Sequence, residues 1–328
     1  MSAPRPASLR GRPVVALCGG VGGAKLALGL DRLIGEDLTV IVNTGDDFEH
    51  LGLHVSPDID TVLYTLAGLS DPERGWGRAG ESWNFMDALA ALGGETWFRL
   101  GDRDLAMHAE RTRALHGGTS LTDFTTAMAR RLGIAARIVP MSDDRVETMV
   151  VTEAETLPFQ RYFVGLQCEP VLKRLEFRNA ERAAASHQAL AALRHPDLAA
   201  VIICPSNPYL SVDPILAVSD LRHALDDVTA PIIAVSPLIG GQAVKGPTAK
   251  IMAELGVPAD SVSIARHYRF LNGLIIDETD RAEVDRIDLP VQTASIWMRS
   301  LEDRDRLAAD CLDFAARLVP GAETGMGR

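Results

Sequence analysis

The sequence predicts an α/β fold: a Rossmann-like, mostly parallel sheet flanked by helices, with a smaller inserted α+β lobe. Three observations carry this. Short apolar runs recur along the chain and alternate with segments of helical spacing, the pattern of a parallel sheet wrapped by helices. The first run, "VVALC", passes directly into the glycine-rich turn "GGVGG" and then into a helical pattern. From about residue 140 to 178, strand-like pieces follow one another without a strong helix between them, which reads as an antiparallel insertion.

The elements follow in order. Val14–Cys18 is a buried-strand run, and Ala24–Ile34 continues with helical spacing. Leu38–Val42 is a second strand that ends at "NTGDD". Ser56 then stands at an N-cap position with Pro57 at the first helical place. Ile59, Val62, Leu63 and Leu66 carry that helix along one face. Later strands are expected at Ala136–Val139, Thr148–Thr152, Ala200–Cys204, Ile232–Val235, Val262–Ile264 and Leu274–Asp277, with a final helix over Leu301–Leu318. The expected division is a disordered arm over 1–13, one α/β domain over 14–320 with an inserted lobe near 140–180, and a flexible tail over 321–328.

Bulk properties narrow the function. The 328 residues allow one large or two ordinary domains, and a hydrophobic content of 47% supports a substantial core. A net charge of −11 gives no broad electrostatic footprint for nucleic acid or an anionic membrane. Phosphates would have to be met by local arginines, lysines, backbone amides or a metal. Cys18, Cys168, Cys204 and Cys311 form no CxxC pair and sit in apolar runs, so buried reduced thiols and a cytoplasmic location are expected. No apolar run reaches the ~18–20 residues of a membrane span.

The glycine turn fits neither standard nucleotide motif. Gly20 and Gly22 begin a G-x-G-x-x-G fingerprint, but Lys25 stands where the third small residue belongs. A P-loop needs Gly-Lys-Ser/Thr, and Lys25 lies between Ala24 and Leu26. What remains is a close backbone approach and a helix N-terminus that suits an anion, or else a purely structural turn. In open parallel sheets, ligands gather at the carboxyl ends of strands. The second strand delivers Asn43, Thr44, Gly45, Asp46 and Asp47, and the next helix adds Asp58 and Asp60 in its first turn. Carboxylates there suit the helix dipole. Four of them so close also repel unless a cation or proton intervenes, and Mg²⁺ shared with substrate phosphates fits that arrangement. In "WFRLGDRDLAMH", Arg99 and Arg103 offer planar forks, with Asp102 and Asp104 beside them; a salt-bridged turn is the alternative. His108 alone is more simply a packing residue. Ser206, Asn207 and Ser211 follow one strand, and Ser236, Gly240, Gly241, Lys245, Gly246, Thr248 and Lys250 follow the next. Two such loops at neighbouring strand ends favour a nucleotide site.

Taken together, "GGVGGAKLALGL", "VNTGDD", "SPDIDTVLYTL", "GWG", "WFRLGDRDLAMH", "SLTD", "PMSDD", "FQ", "PSNP", "VSPLIGG" and "KGP" resemble the 2-phospho-L-lactate transferase family (CofD/FbiA) of deazaflavin coenzyme F-420 biosynthesis. They run in family order over most of the chain. The resemblance implies a Rossmann-like core and transfer of a phospho-acid group (phospholactyl, enolpyruvyl-phosphoryl or phosphoglyceryl) from a guanosine diphospho-donor to the ribityl hydroxyl of the deazaflavin Fo, releasing GMP with Mg²⁺ as cofactor. It further implies that Asp60 and Arg99 touch Fo, and that Asp46, Asp47 and Asp60 surround the metal. Asp60, Asp46 and Arg103 would then be catalytic. Gly20, Gly22, Gly23, Lys25, Ser206, Asn207, Ser236, Gly240, Lys245 and Gly246 would hold the donor. Trp76 would either flank the deazaflavin or anchor its loop.

Two rivals share parts of this pattern. YvcK-like gluconeogenesis factors, which bind nucleotide-sugars, have a similar glycine turn and acidic strand end, but a glycine- and serine-rich run where this chain has "FEHLGLHVSPDIDT". An NAD-dependent dehydrogenase is suggested by the first βαβ unit alone, against which Lys25 and the aspartates count. A homodimer is expected only because closed twofold assemblies are common. Asp60→Asn should nearly abolish turnover while leaving the fold melting normally.

Overall fold

A computed structural model describes residues 9–244 and 246–319. Its centre is a seven-stranded sheet in the order Val291–Ala294, Gly273–Asp277, Ile232–Val235, Ala200–Ile203, Val14–Cys18, Leu38–Val42, Arg137–Pro140. Every pairing in it is parallel. Every residue of Val14–Cys18, Leu38–Val42 and Gly273–Asp277 is buried. Helices cover both faces, which is why these strands read as unbroken apolar runs instead of alternating ones.

The helices Gly20–Ile34, Pro57–Leu66, Leu121–Arg131 and Leu301–Leu318 pack one face, and His187–Leu193, Ser219–Asp226, Thr248–Glu254 and Ser261–His267 pack the other. Val14–Cys18 pairs with Leu38–Val42 on one side and with Ala200–Ile203 on the other. The chain therefore reverses its direction of sheet growth beside the first strand. This is a topological switch point, where loops diverge above the strand ends and leave a crevice.

The inserted lobe is present as a three-stranded antiparallel sheet, with Glu147–Val151 between Thr156–Pro158 and Arg174–Arg178. A single turn of π-type helix, Arg161–Gly165, follows the Thr156–Pro158 strand. The final helix spans Leu301–Leu318, as expected, and opens with a capping box between Ser300 and Asp303.

Several expectations need correction. Val262–Ile264 is not a strand but part of the helix Ser261–His267, whose N-terminus is capped by the Asp260 side chain accepting from the Ser263 N–H. The first helix begins at Gly20, one turn ahead of Ala24. Ser56 holds the N-cap position, yet its hydroxyl donates to Asp47 Oδ2 at 2.6 Å and does not cap the helix. The edge strand Val291–Ala294 was not foreseen. Leu9 is fully buried, and Arg12 donates to the carbonyls of Asp197 and Leu198, so packed structure starts before Val14. Residues 1–8 of the expected arm and the expected tail over 321–328 lie outside the described residues. Among the described residues, all four cysteines are buried and unbridged, and no helix is long and apolar enough to cross a membrane.

Candidate functional site

At the switch point lies a cavity of about 720 Å³. Its floor is the turn after Val14–Cys18. Gly20 has φ +63°, a conformation that favours glycine. A Cβ on Gly19 would lie 2.5 Å from Asp58 Oδ2 and 2.6 Å from Ser211 Cβ, and one on Gly22 would lie 2.5 Å from the Pro205 carbonyl oxygen. The glycines thus let the turn nest against the loop after Ala200–Ile203. Ser206 staples the two, accepting from the Gly19 N–H at 3.1 Å and donating to the Gly19 carbonyl at 2.8 Å.

The carboxylates divide by partner. Asp58 Oδ1 accepts from the Gly20 N–H at 2.8 Å, and its Oδ2 accepts from Asn43 Nδ2 at 2.9 Å. Burial still pushes the Asp58 carboxyl up to about 6, against the pull of those two donors. Asp46 is pushed well above the carboxylate range, by burial first and by the charge of Asp58 second. Asp46 Oδ1 and Asp47 Oδ1 are buried with no hydrogen-bond partner. Asp47 Oδ2 accepts from Ser56 and lies 3.2 Å from His54 Nε2. Asp60 is paired with Arg111, whose Nη1 donates to Asp60 Oδ2 at 3.1 Å and whose Nη2 donates to Asp60 Oδ1. Asp46 and Asp58 are desolvated and both are pushed up by neighbouring carboxylate charge, and Asp46 keeps an orphaned oxygen, a setting that fits a divalent cation. Asp46 and Asp58 face the cavity with Asp47 behind them. Asp60 already has a cationic partner.

The walls are aromatic and basic. Trp76, Trp97, Phe98, Phe159 and Phe163 line one end with Arg99, whose guanidinium sits 4.3 Å from the Trp83 ring centroid. Ile296, Trp297 and Met298 line another part, and Lys25 Nζ donates to the Met298 carbonyl at 3.1 Å.

Of the residues singled out from the sequence, the structure brings Gly20, Gly22, Lys25, Asp46, Asp60, Arg99, Ser206, Asn207, Ser236 and Gly246 onto this one cavity. Asn207 Oδ1 caps the following turn, while its Nδ2 is buried without a partner. Gly23 lies behind the wall, where an added Cβ would strike Ser206 Oγ and Cys18 Sγ. Gly240 is also away from the cavity, donating its N–H to Asp280. Arg103 is exposed and is not a lining residue. Lys245 lies outside the described residues. Asp102 organises the neighbouring backbone, since Ser82, Asn84 and Phe85 all donate to it and bring its carboxyl down to about 2.

Sequence reasoning missed Arg111 and Tyr64. Asp104, His108 and Arg111 share one face of the helix Asp102–His116, a spacing that was visible. Their partner Asp60 lies 51 residues away from Arg111, and only the fold supplies it.

A switch-point crevice with a glycine turn, paired carboxylates and aromatic walls defines a Rossmann-like α/β protein with a ligand-sized cavity at its strand ends. Residues 14–299 match the family model of 2-phospho-L-lactate transferase CofD, and the chain belongs to that transferase family. It is 37% identical over 313 residues to a phosphoenolpyruvate transferase of Streptomyces griseus, covering 92% of this chain and 98% of that one. It is likewise 37% identical over 301 residues to the phosphoenolpyruvate transferase of Mycobacterium tuberculosis, covering 84% and 90%. A crystal structure of a UPF0052 family protein from Bacillus halodurans superposes with a TM-score of 0.59 at 14% identity, covering 92% of this chain and 98% of that one, a likeness of fold alone.

Proposed function

We propose that the chain transfers a phospho-acid group from a guanosine diphospho-donor to the terminal ribityl hydroxyl of Fo, releasing GMP, in coenzyme F-420 biosynthesis. One observation carries the reading. A single cavity places the desolvated pair Asp46 and Asp58 among the glycine turn, the Ser206–Asn207 loop and an aromatic wall bearing Arg99. The names of the relatives favour phosphoenolpyruvyl as the transferred group.

In this reading the acceptor oxygen attacks the phosphorus that carries the acid. The new P–O bond forms as the bond to the GMP phosphate breaks, and the alcohol proton leaves to a carboxylate. Such a transfer needs alignment and charge neutralisation more than covalent chemistry. Asp46 and Asp58 would hold Mg²⁺, which when bound supplies positive charge to the diphosphate. Ser206, Asn207 Nδ2 and the turn at Gly20–Gly22 would hold the donor's phosphates. Arg99 and the aromatic wall would hold the planar deazaflavin. Asp60, oriented by Arg111, accepts a hydrogen bond from the attacking hydroxyl and aims its lone pair.

Fluorescence titration of Fo with GDP and Mg²⁺ present tests this occupancy. Saturable Fo binding strengthened by GDP, and not by a UDP-sugar or NAD, is expected. Absence of Fo binding would overturn the reading.

A further inference from the structure

We infer that His108 and Asp104 form a hydroxyl-binding subsite in the cavity, with the His108 Nε2–H donating to a hydroxyl of a polyol chain and a neighbouring carboxylate accepting from it. This rests on the acceptor reading above. His108 is 1% exposed and lines the cavity. Its Nδ1 lies 3.3 Å from Arg111 Nη1. Nδ1 also lies 3.6 Å from Asp60 Oδ2. A guanidinium has donors only, so in its contact with Arg111 the imidazole Nδ1 accepts, the tautomer that carries the ring proton on Nε2.

That Nε2 is buried and has no hydrogen-bond partner. Asp104 Oδ1 stands 3.5 Å from it and accepts from the Tyr64 hydroxyl at 2.6 Å. An orphaned buried donor beside a carboxylate marks a position for a missing polar atom. One ligand atom each from Asp60, Asp104 and His108 all lie within 4.8 Å of one another. An alcohol suits this setting because it accepts from the imidazole and donates to a carboxylate at once. A phosphate oxygen has no proton to offer the carboxylates. A metal ion would sit beside the Arg111 guanidinium, which already supplies Asp60 with positive charge.

The test compares Fo with analogues lacking single side-chain hydroxyls, on wild-type protein, His108→Phe and His108→Gln. Wild type should prefer Fo over one analogue by about tenfold or more in kcat/KM, the worth of one good hydrogen bond. His108→Phe should erase that preference and raise the Fo dissociation constant while leaving that of GDP unchanged. His108→Gln, which keeps an N–H donor, should restore part of it, and it carries the test if the Phe variant fails to fold. Preference surviving in His108→Phe would overturn the subsite alone. So would one equivalent of metal in purified wild type, measured by elemental mass spectrometry and lost in His108→Phe. Wild-type protein that neither binds nor modifies Fo would overturn the acceptor reading itself.

Discussion

Arg111→Met should destabilise the protein far more than its place outside the strand-end motifs suggests. Arg111 is fully buried, and both of its terminal nitrogens bond Asp60, itself 5% exposed. Removing one member of a buried pair strands the other charge, at a cost of about 3–5 kcal/mol. The His54 carbonyl, 3.3 Å from Arg111 Nη1, also loses a donor. Replacing both partners leaves no stranded charge, so Arg111→Met with Asp60→Asn should recover a large share of the loss. The assay is urea unfolding of wild type, both single variants and the double variant, with the coupling energy taken from the cycle. A loss below about 1 kcal/mol in Arg111→Met, or a double variant no more stable than that single one, would refute the reasoning. The same pair changes the expectation for Asp60→Asn, which should lower the melting temperature as well as turnover.

Three further outcomes follow from the site. Asp58 is raised from 3.8 to about 6, so the folded state holds its proton more tightly than the unfolded one. Its favourable share is complete below pH 3.8 and lost as pH rises through about 6. In metal-free buffer, Asp58→Asn should therefore gain on wild type between pH 4 and 7 by about 2 kcal/mol in unfolding free energy, and parallel stability curves would contradict this. Gly22→Ala drives a Cβ to within 2.5 Å of the Pro205 carbonyl and should cost about 1–3 kcal/mol while weakening GDP binding, as read by calorimetry; wild-type affinity would refute the close packing. Arg99→Ala should raise the Fo dissociation constant at least about tenfold, whereas exposed Arg103→Ala should change it less than about twofold. The reverse order, in the same fluorescence titration, would place Arg103 in the site.

The sheet was legible because strands buried on both faces show as continuous apolar runs, and Val14–Cys18, Leu38–Val42 and Ile232–Val235 kept their expected bounds. Val291–Ala294 was hidden because "VQTA" at the sheet edge has little apolar signal. Val262–Ile264 misled because so short an apolar run fits a strand or a buried helix turn equally. Asp260 and Ser263 held the deciding cap. Much of the cavity was readable by following each strand to its carboxyl end, which located Asp46, Asp60, Ser206 and Ser236. The division of labour among the aspartates was not readable. Whether a carboxylate meets Arg111, as Asp60 does, or keeps a bare oxygen, as Asp46 does, depends on contacts between elements distant in sequence.

The most direct test of the account is a mass-spectrometric transfer assay with purified protein, Fo, Mg²⁺ and the guanylylated forms of phospholactate, phosphoenolpyruvate and 3-phosphoglycerate in competition. A phospho-acid adduct of Fo should appear together with GMP, with the enolpyruvyl donor consumed first and the product lost in Asp46→Asn. Fo left unmodified by all three donors would contradict it.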